Sequence, residues 1–515
     1  MAAIPMLERR GLAIYSLSCA LSLLLFFTYG AIEDTLNDDG INYIYAAHAL
    51  SEGLPEEAKS YRPETFFYRQ ISLIASLSGL ELYTSAQALS LFWQILLGAG
   101  FIAIVRCFDT SLPSQLIALA VFFSIASLNH LRPDIIRGFS FWALQLWAVW
   151  AGLNLIKYRA WRFALLWLSL SAIATLYRAE GMAYLLLIPA FALINASFSG
   201  GFSAKQGLKL AGLIVITTGL IYLVFGLERH DAAQGTPQLM PMQNVSVADK
   251  VQKELSALSL AADQFERLKD NIAAQMPSKW AQRSVNDLLI GGLMFHLLLA
   301  IINTTNTPLL ALSLYGGNRR RPFLSDPRHK LLANYILVGV IVGLLSVYSK
   351  FFISPRYIML TAILLAIPAT LMLSKTYQGL ATPLQGASRL WKYLVVALPV
   401  FTCLYPLSHQ NHDKRYIQDA GHWVKNHLND AQKIYFNDQK VAFYSADYTN
   451  NSFKTPYTNQ HSLLRDGYQY AVLYERNAKG EHSPLRQSLG EQRLKTFQNN
   501  RGRSVSVYKL AASAP

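Results

Sequence analysis

The chain is short of charge and nearly without cysteine: 15 % of its 515 residues are charged and three are cysteine. With 52 % hydrophobic residues, it lies outside the range expected of a soluble chain of this length. Cys19 and Cys403 lie inside apolar runs and Cys107 just after one, which excludes a disulfide framework and a Cys-x-x-Cys metal site. Acidic residues are outnumbered and the net charge is +15, but the basic residues form no stripe interleaved with stacking aromatics, so nucleic acid is excluded as a partner. Also missing are a His-x3-His or similar ligand spacing and the Gly-x-Gly-Asp segment of an intramembrane aspartyl protease.

What the chain has is long apolar runs, the mark of an all-α multi-pass membrane protein. Candidate spans lie at Leu12–Tyr29, Ala86–Val105, Leu112–Leu128, Phe139–Ile156, Phe163–Tyr177 and Met182–Phe198. More follow at Leu208–Phe225, Asp287–Ile302, Leu331–Ser349, Tyr357–Ser374 and Trp391–Leu407, which makes about eleven crossings. The first run follows Arg9 and Arg10, but it is long for a signal peptide and Tyr29-Gly30-Ala31 is a poor cleavage site, so it reads as an uncleaved span.

With the N-terminus cytoplasmic, Arg106, Lys157, Arg159, Arg162, Lys205 and Lys209 fall on the cytoplasmic side. So do Arg319, Arg320, Arg321, Arg328, Lys330, Lys375, Arg389 and Lys392, which meets the positive-inside rule at every cytoplasmic turn. The C-terminus is then external. The external face receives Ala31–Ser85, the short turns Asn129–Gly138, Arg178–Gly181 and Lys350–Arg356, and the polar stretch Leu227–Val285. In that stretch Val247, Val251, Leu255, Leu258 and Ala262 are spaced for one apolar helix face lying along the membrane surface. Residues 1–407 read as the membrane domain and 408–515 as a small external α/β domain. In that domain a helix is expected at Tyr416–Leu428 and strands at Lys433–Phe436, Tyr468–Tyr474 and Arg503–Leu510. It carries no nucleophile triad or Gly-rich phosphate loop and reads as accessory.

Asp38 and Asp39 stand side by side just beyond the first span, at the mouth of an alanine-rich helix. Adjacent carboxylates repel, which makes one of them the better proton acceptor and suits a general base. The plainer reading is that one of them is the helix N-cap. The two readings are compatible.

Basic residues that break the charge rule are the second signal. Arg132 and Arg137 share one short external turn, Arg178 lies with Glu180 in another, and Lys350 and Arg356 share a third. Ionisable groups close to hydrocarbon are costly unless paired or functional. Asp134 and Glu180 can supply some partners internally, yet positive charge exceeds negative in these turns. Guanidinium groups suit bidentate recognition of phosphate. A base that takes a proton from an acceptor hydroxyl, with cations that stabilise a phosphate leaving group, describes glycosyl transfer from a polyprenyl-phosphate sugar.

Several motifs resemble those of the GT-C superfamily of membrane glycosyltransferases, in particular the bacterial branch related to protein O-mannosyltransferases and lipid A aminoarabinose transferases. Asp38-Asp39-Gly40-Ile41-Asn42-Tyr43 resembles the acidic motif of that family's first external loop. Arg132-Pro133-Asp134-Ile135-Ile136-Arg137-Gly138, Tyr177-Arg178-Ala179-Glu180-Gly181 and Ser354-Pro355-Arg356-Tyr357 are similar to its later turns. Gly421-His422-Trp423-Val424 resembles the opening of an external domain that many members append. The resemblance implies Asp38 as base with Asp39 as its partner, and an inverting transfer at the periplasmic side of a bacterial inner membrane. It implies donor-phosphate binding by Arg132, Arg137, Arg178, Lys350, Arg356 and Tyr357. Tyr43, Glu64 and Glu180 are candidates for an acceptor or second-loop site, Glu64 being the nearest match to the second-loop acidic residue of some members. Expected partners are a polyprenyl-phosphate-linked sugar, membrane lipid, and a glycan, lipid or protein acceptor. The sequence requires no cofactor. Some relatives bind a divalent cation, for which His48, Glu64 or His296 are the available side chains, although His296 reads better as a hydrogen-bonded interior histidine.

The alternative is a transporter or flippase of a lipid-linked sugar, using the same arginines. It expects charges along a path through the spans and repeated halves; the spans are nearly free of charge and no repeat is evident. A non-catalytic scaffold explains neither the aspartates nor the arginines.

Overall fold

A computed structural model describes residues 9–33, 35–63, 65–198, 212, 247–318 and 326–379, and in the C-terminal region 414–428, 433–445, 448, 450, 452–475, 484–489 and 492–510. The chain is mostly helical and divides into two compact units. One comprises Met1–Leu23, Phe92–His130 and Arg137–Leu404; the other comprises Leu24–Leu91, Leu131–Ile136 and Tyr405–Pro515. The tail, expected as a separate accessory domain, therefore packs as one unit with the first loop and a short piece of the Asn129–Gly138 turn.

Among the described residues, six helices are long and apolar enough to cross a membrane: Gly11–Ile32, Leu82–Phe108, Gly138–Tyr158, Lys279–Thr305, Pro327–Lys350 and Pro355–Gln378. Shorter apolar helices occupy Leu112–Phe123, Trp161–Tyr177 and Gly181–Ala192. These coincide with nine of the expected spans. The other two, Leu208–Phe225 and Trp391–Leu407, lie outside the described residues except for Gly212.

The third expected span is shorter than its apolar run. Its helix stops at Phe123, and a separate turn of helix, Ala126–His130, follows. The Ser124 carbonyl at this break accepts from Asn306 Nδ2 at 3.2 Å. Asn306 has φ 71 and caps the helix Lys279–Thr305, so its side chain satisfies a backbone group freed at the break. The polar stretch 303–308 also starts a further apolar helix, Thr307–Asn318, absent from the sequence reading. His296 lies on the exposed face of Lys279–Thr305, so the expectation of an interior histidine is wrong. Neighbouring Met294, Phe295 and Leu298 are exposed as well, which marks a face turned away from protein.

In the membrane unit, Trp167 Nε1 donates to Tyr335 Oη at 2.7 Å, and Leu297, Val347, Ile353 and Ile358 form an apolar cluster below the turn at residues 351–354. The helix Val247–Gln275 is present, with Ala261 and Phe265 buried; the side chains of Val251, Leu255 and Leu258 lie outside the described residues.

In the other unit, helices α2 (Asp38–Ser51), α3 (Pro55–Tyr61) and α4 (Thr65–Ser78) follow the first span helix α1 (Arg9–Ile32). The tail is an α/β fold whose sheet runs β1 (Ile434–Phe436), β2 (Tyr470–Glu475), β4 (Ser504–Lys509), β3 (Arg493–Gln498). The pair β1/β2 is parallel and the others antiparallel. One face packs on the helix Arg415–His427 through Ile417, Ala420 and Val424; the other buries Leu463, Leu473 and Leu485. The expected helix and three strands are present, and β3 is an addition.

Candidate active site

Asp38 and Asp39 are the first two residues of α2, and neither is its cap. The N-cap is Asn37, in extended conformation, which makes no side-chain bond to its own helix. Its side chain instead takes both backbone groups of Ile135: Oδ1 accepts from Ile135 N–H at 3.0 Å and Nδ2 donates to Ile135 C=O at 3.4 Å. The plain cap reading of the aspartates is thereby overturned. As first-turn residues they gain from the helix dipole, which favours negative charge there.

The pairing of Asn37 with Ile135 needs a close approach, and Gly40 allows it. A Cβ at residue 40 would stand 2.9 Å from Ile135 Cβ and 2.7 Å from Asn37 Oδ1. The acidic motif and the Arg132–Asp134 turn, separated by almost a hundred residues of chain, are thus held together.

Each carboxylate has its own cation, which offsets the repulsion expected between neighbours. Asp39 Oδ1 accepts from Arg62 Nη2, at the C-terminal end of α3. Asp38 Oδ1 lies 3.3 Å from Lys440 Nζ, in the tail helix Gln439–Tyr444. Arg62 also lies over the Tyr43 ring at 5.0 Å, and that ring meets Phe67 edge to face. Tyr43 is buried and so supports Arg62 from below. Arg132 is buried in this unit, 1 % exposed. Glu64 lies outside the described residues; the residue of its motif that meets Asp39 is Arg62.

The tail contacts α2 and its surroundings through further groups. Gln439 Nε2 donates to Asn42 Oδ1 at 2.6 Å, Tyr444 Oη accepts from Leu36 N–H at 2.7 Å, and Lys454 Nζ donates to Ser60 Oγ at 3.0 Å. Tyr45 packs on Tyr448 and Phe453, and Tyr83 on Phe443. Asp438 caps the tail helix, accepting from the N–H of Lys440 and Val441. Burial raises the pKa of Asp438 above the ordinary carboxylate value; those N–H bonds and the Lys440 charge oppose the rise, and Asp38 adds to it.

The membrane unit carries a second cluster. Arg178 clasps Glu180 with two bonds, Nη2 to Oε1 at 2.7 Å and Nε to Oε2 at 3.3 Å. Arg178 Nη1 also donates to the Arg356 carbonyl at 3.2 Å, which ties the Arg178–Gly181 turn to Ser354–Tyr357. The Tyr357 ring carries two cations: Arg178 at 4.8 Å and Lys350 at 4.1 Å from its centre. Lys350 Nζ also donates to Tyr357 Oη at 2.8 Å. Burial acts to raise the pKa of Glu180, but the charge and hydrogen bonds of Arg178, with help from Arg137, lower it to about 2. Glu180 is thus the internal anion that the sequence allowed for Arg178.

Two residues at the aspartates were missed by the sequence reading. Arg62 lies two residues before Glu64, and no local spacing ties it to Asp39. Lys440 lies about four hundred positions from Asp38 and carries no local signal. For a divalent ion, no group of three His, Cys, Asp or Glu side chains stands together among the described residues. Glu64, one of the side chains available for such an ion, lies outside the described residues.

No family model and no curated protein matches the chain. Solved structures do. The chain is similar to ArnT from Cupriavidus metallidurans bound to undecaprenyl phosphate, with TM-score 0.58 and 11 % identity, covering 97 % of this chain and 99 % of that one. It is also similar to the oligosaccharyltransferase AglB from Archaeoglobus fulgidus, in complex with an inhibitory peptide and a dolichol-phosphate. There the TM-score is 0.51 and the identity 11 %, over 90 % of this chain and 69 % of that one. Together with the six apolar helices long enough to cross a membrane, these likenesses show that the chain has the fold of the GT-C membrane glycosyltransferases.

Proposed function

We propose that the chain is an inverting glycosyltransferase that moves a sugar from a polyprenyl-phosphate donor to an acceptor hydroxyl at the periplasmic side of a bacterial inner membrane. The observation that carries this reading is the Asp38–Asp39 pair on the first turn of α2, in a chain with this fold. The solved structures of this fold hold undecaprenyl phosphate in one case and dolichol-phosphate with a peptide in another, which supports a lipid-linked donor.

The Asp38 side chain is 73 % exposed and reaches outward, as a base that must meet an acceptor hydroxyl does. Asp39, clasped by Arg62, fixes the start of the helix and so aims Asp38. Attack by the acceptor oxygen breaks the sugar–phosphate bond, and the leaving phosphate gains negative charge. The sequence reading gives Arg178, Arg356 and Lys350 a donor-phosphate role, and within their own unit the Tyr357 ring packs against Arg178 and Lys350.

The test is a deletion strain whose lipopolysaccharide, surface polysaccharide and surface proteins are compared by mass with the parent. Loss of one sugar from one of these is expected, restored by the wild-type chain. Asp38→Asn at matched membrane level should restore less than about one hundredth of the transfer rate. Full restoration would remove Asp38 as the base.

A further inference from the structure

The tail helix Gln439–Tyr444 brings its first residues to the first residues of α2. Lys440 is 19 % exposed while Asp38 is 73 % exposed, so the ammonium is largely enclosed and the carboxylate is open on its other side. An enclosed ammonium needs a partner. Its own helix gives it no reason to be there, because the first turn is the end where positive charge is disfavoured. Asp438, the cap of that helix, is turned to its own backbone N–H groups. Among the described residues, the ion pair that Lys440 makes is with Asp38, at 3.3 Å.

The contact is built rather than incidental. One residue on each side of the ion pair contributes further: Gln439 bonds Asn42, and Tyr444, at the far end of the same short helix, bonds the backbone before α2. Gly421 in the helix Arg415–His427 lets this segment sit close, since a Cβ there would lie 2.5 Å from Tyr444 Cβ and 3.0 Å from the Val441 carbonyl.

We infer that Lys440 is a positioning residue for Asp38, so that the C-terminal α/β region completes the reactive carboxylate instead of serving as an appendage. Lys440 holds one carboxylate oxygen and leaves the other to face the acceptor hydroxyl. This rests on the reading of Asp38 as the base. It assigns the tail a part in the chemistry step, distinct from any part in binding donor or acceptor.

The experiment uses the full chain in the deletion strain, with the rate of envelope sugar transfer read at matched membrane level. Lys440→Met is expected to slow transfer about ten- to a hundredfold, and Lys440→Arg to restore it to within a few fold. In detergent, the melting temperatures of Lys440→Met, Asp38→Asn and the double variant are compared. An ion pair predicts that the double variant loses no more than the single ones. If Lys440→Met does not reach the membrane, Lys440→Gln is read in its place. Wild-type transfer by Lys440→Met overturns the inference. So does an equal loss in Lys440→Met and Lys440→Arg, which would mark a structural lysine. Full activity of Asp38→Asn would instead end the reading of Asp38 as base. Inactivity of Asp38→Asn beside full activity of Lys440→Met keeps the base and removes Lys440 alone.

Discussion

At the scale of the residue, Arg178 and Glu180 show how a charge expected in a short external turn is accommodated. Arg178 is 9 % exposed, and a buried guanidinium with no anion would be costly. Glu180, two residues on, makes a bidentate clasp. Its pKa falls from 4.5 to about 2, so it binds fewer protons in the folded state than in the unfolded one. A depressed carboxyl pKa contributes stability above the unfolded value and loses it as pH falls through the folded value. Glu180→Gln should therefore cost about 3 kcal/mol at neutral pH. The difference from wild type should shrink as pH falls below 4.5 and vanish near 2. Thermal melts in detergent from neutral pH downward check the sign. A constant difference across that range would mean that the loss comes from packing and not from charge.

At the scale of the element, the start of α2 depends on a contact that no local pattern announces. Glycine inside a helix normally costs about 1 kcal/mol relative to alanine. At residue 40 the sign reverses, because the added methyl would run into Ile135 and the Asn37 side chain. Gly40→Ala should destabilise by about 1–3 kcal/mol and reduce transfer with it. Gly292→Ala, in a helix where nothing lies within 4 Å, should be neutral or stabilising. If the two behave alike, close approach is not what residue 40 is for. The same contrast explains what could be read in advance. Nine of the expected spans, those on described residues, were legible as apolar helices from run length, and the tail helix from the spacing of Ile417, Ala420 and Val424, because burial leaves a period in the sequence. Strand β3 was not, since as an edge strand it buries little and reads Arg493-Leu494-Lys495-Thr496 with no clean alternation. The aspartates were visible as a motif. Their cations were not, because Arg62 and Lys440 are set by tertiary contact and leave no spacing to find.

At the scale of the whole molecule, chain order and compact units disagree, and the disagreement makes a prediction. A linear reading cuts the chain at residue 408 and expects the membrane part to work without the tail. The observed unit instead joins Tyr405–Pro515 to the first loop and to Leu131–Ile136. Removing the tail would take Lys440 from Asp38, Gln439 from Asn42 and Tyr444 from the backbone before α2. It would also expose the rings of Tyr45 and Tyr83, which pack on Phe453 and Phe443. Uncovering an aromatic ring costs about 1.5–3 kcal/mol, enough over several rings to loosen a loop made of three short helices. A chain ending at Leu407 should therefore insert in the membrane at normal level yet transfer no sugar. Limited proteolysis of membranes should cut it within residues 31–85, where the full chain resists. Transfer at the parental rate by the shortened chain would show that the first loop holds its aspartates unaided and that the tail is an accessory after all.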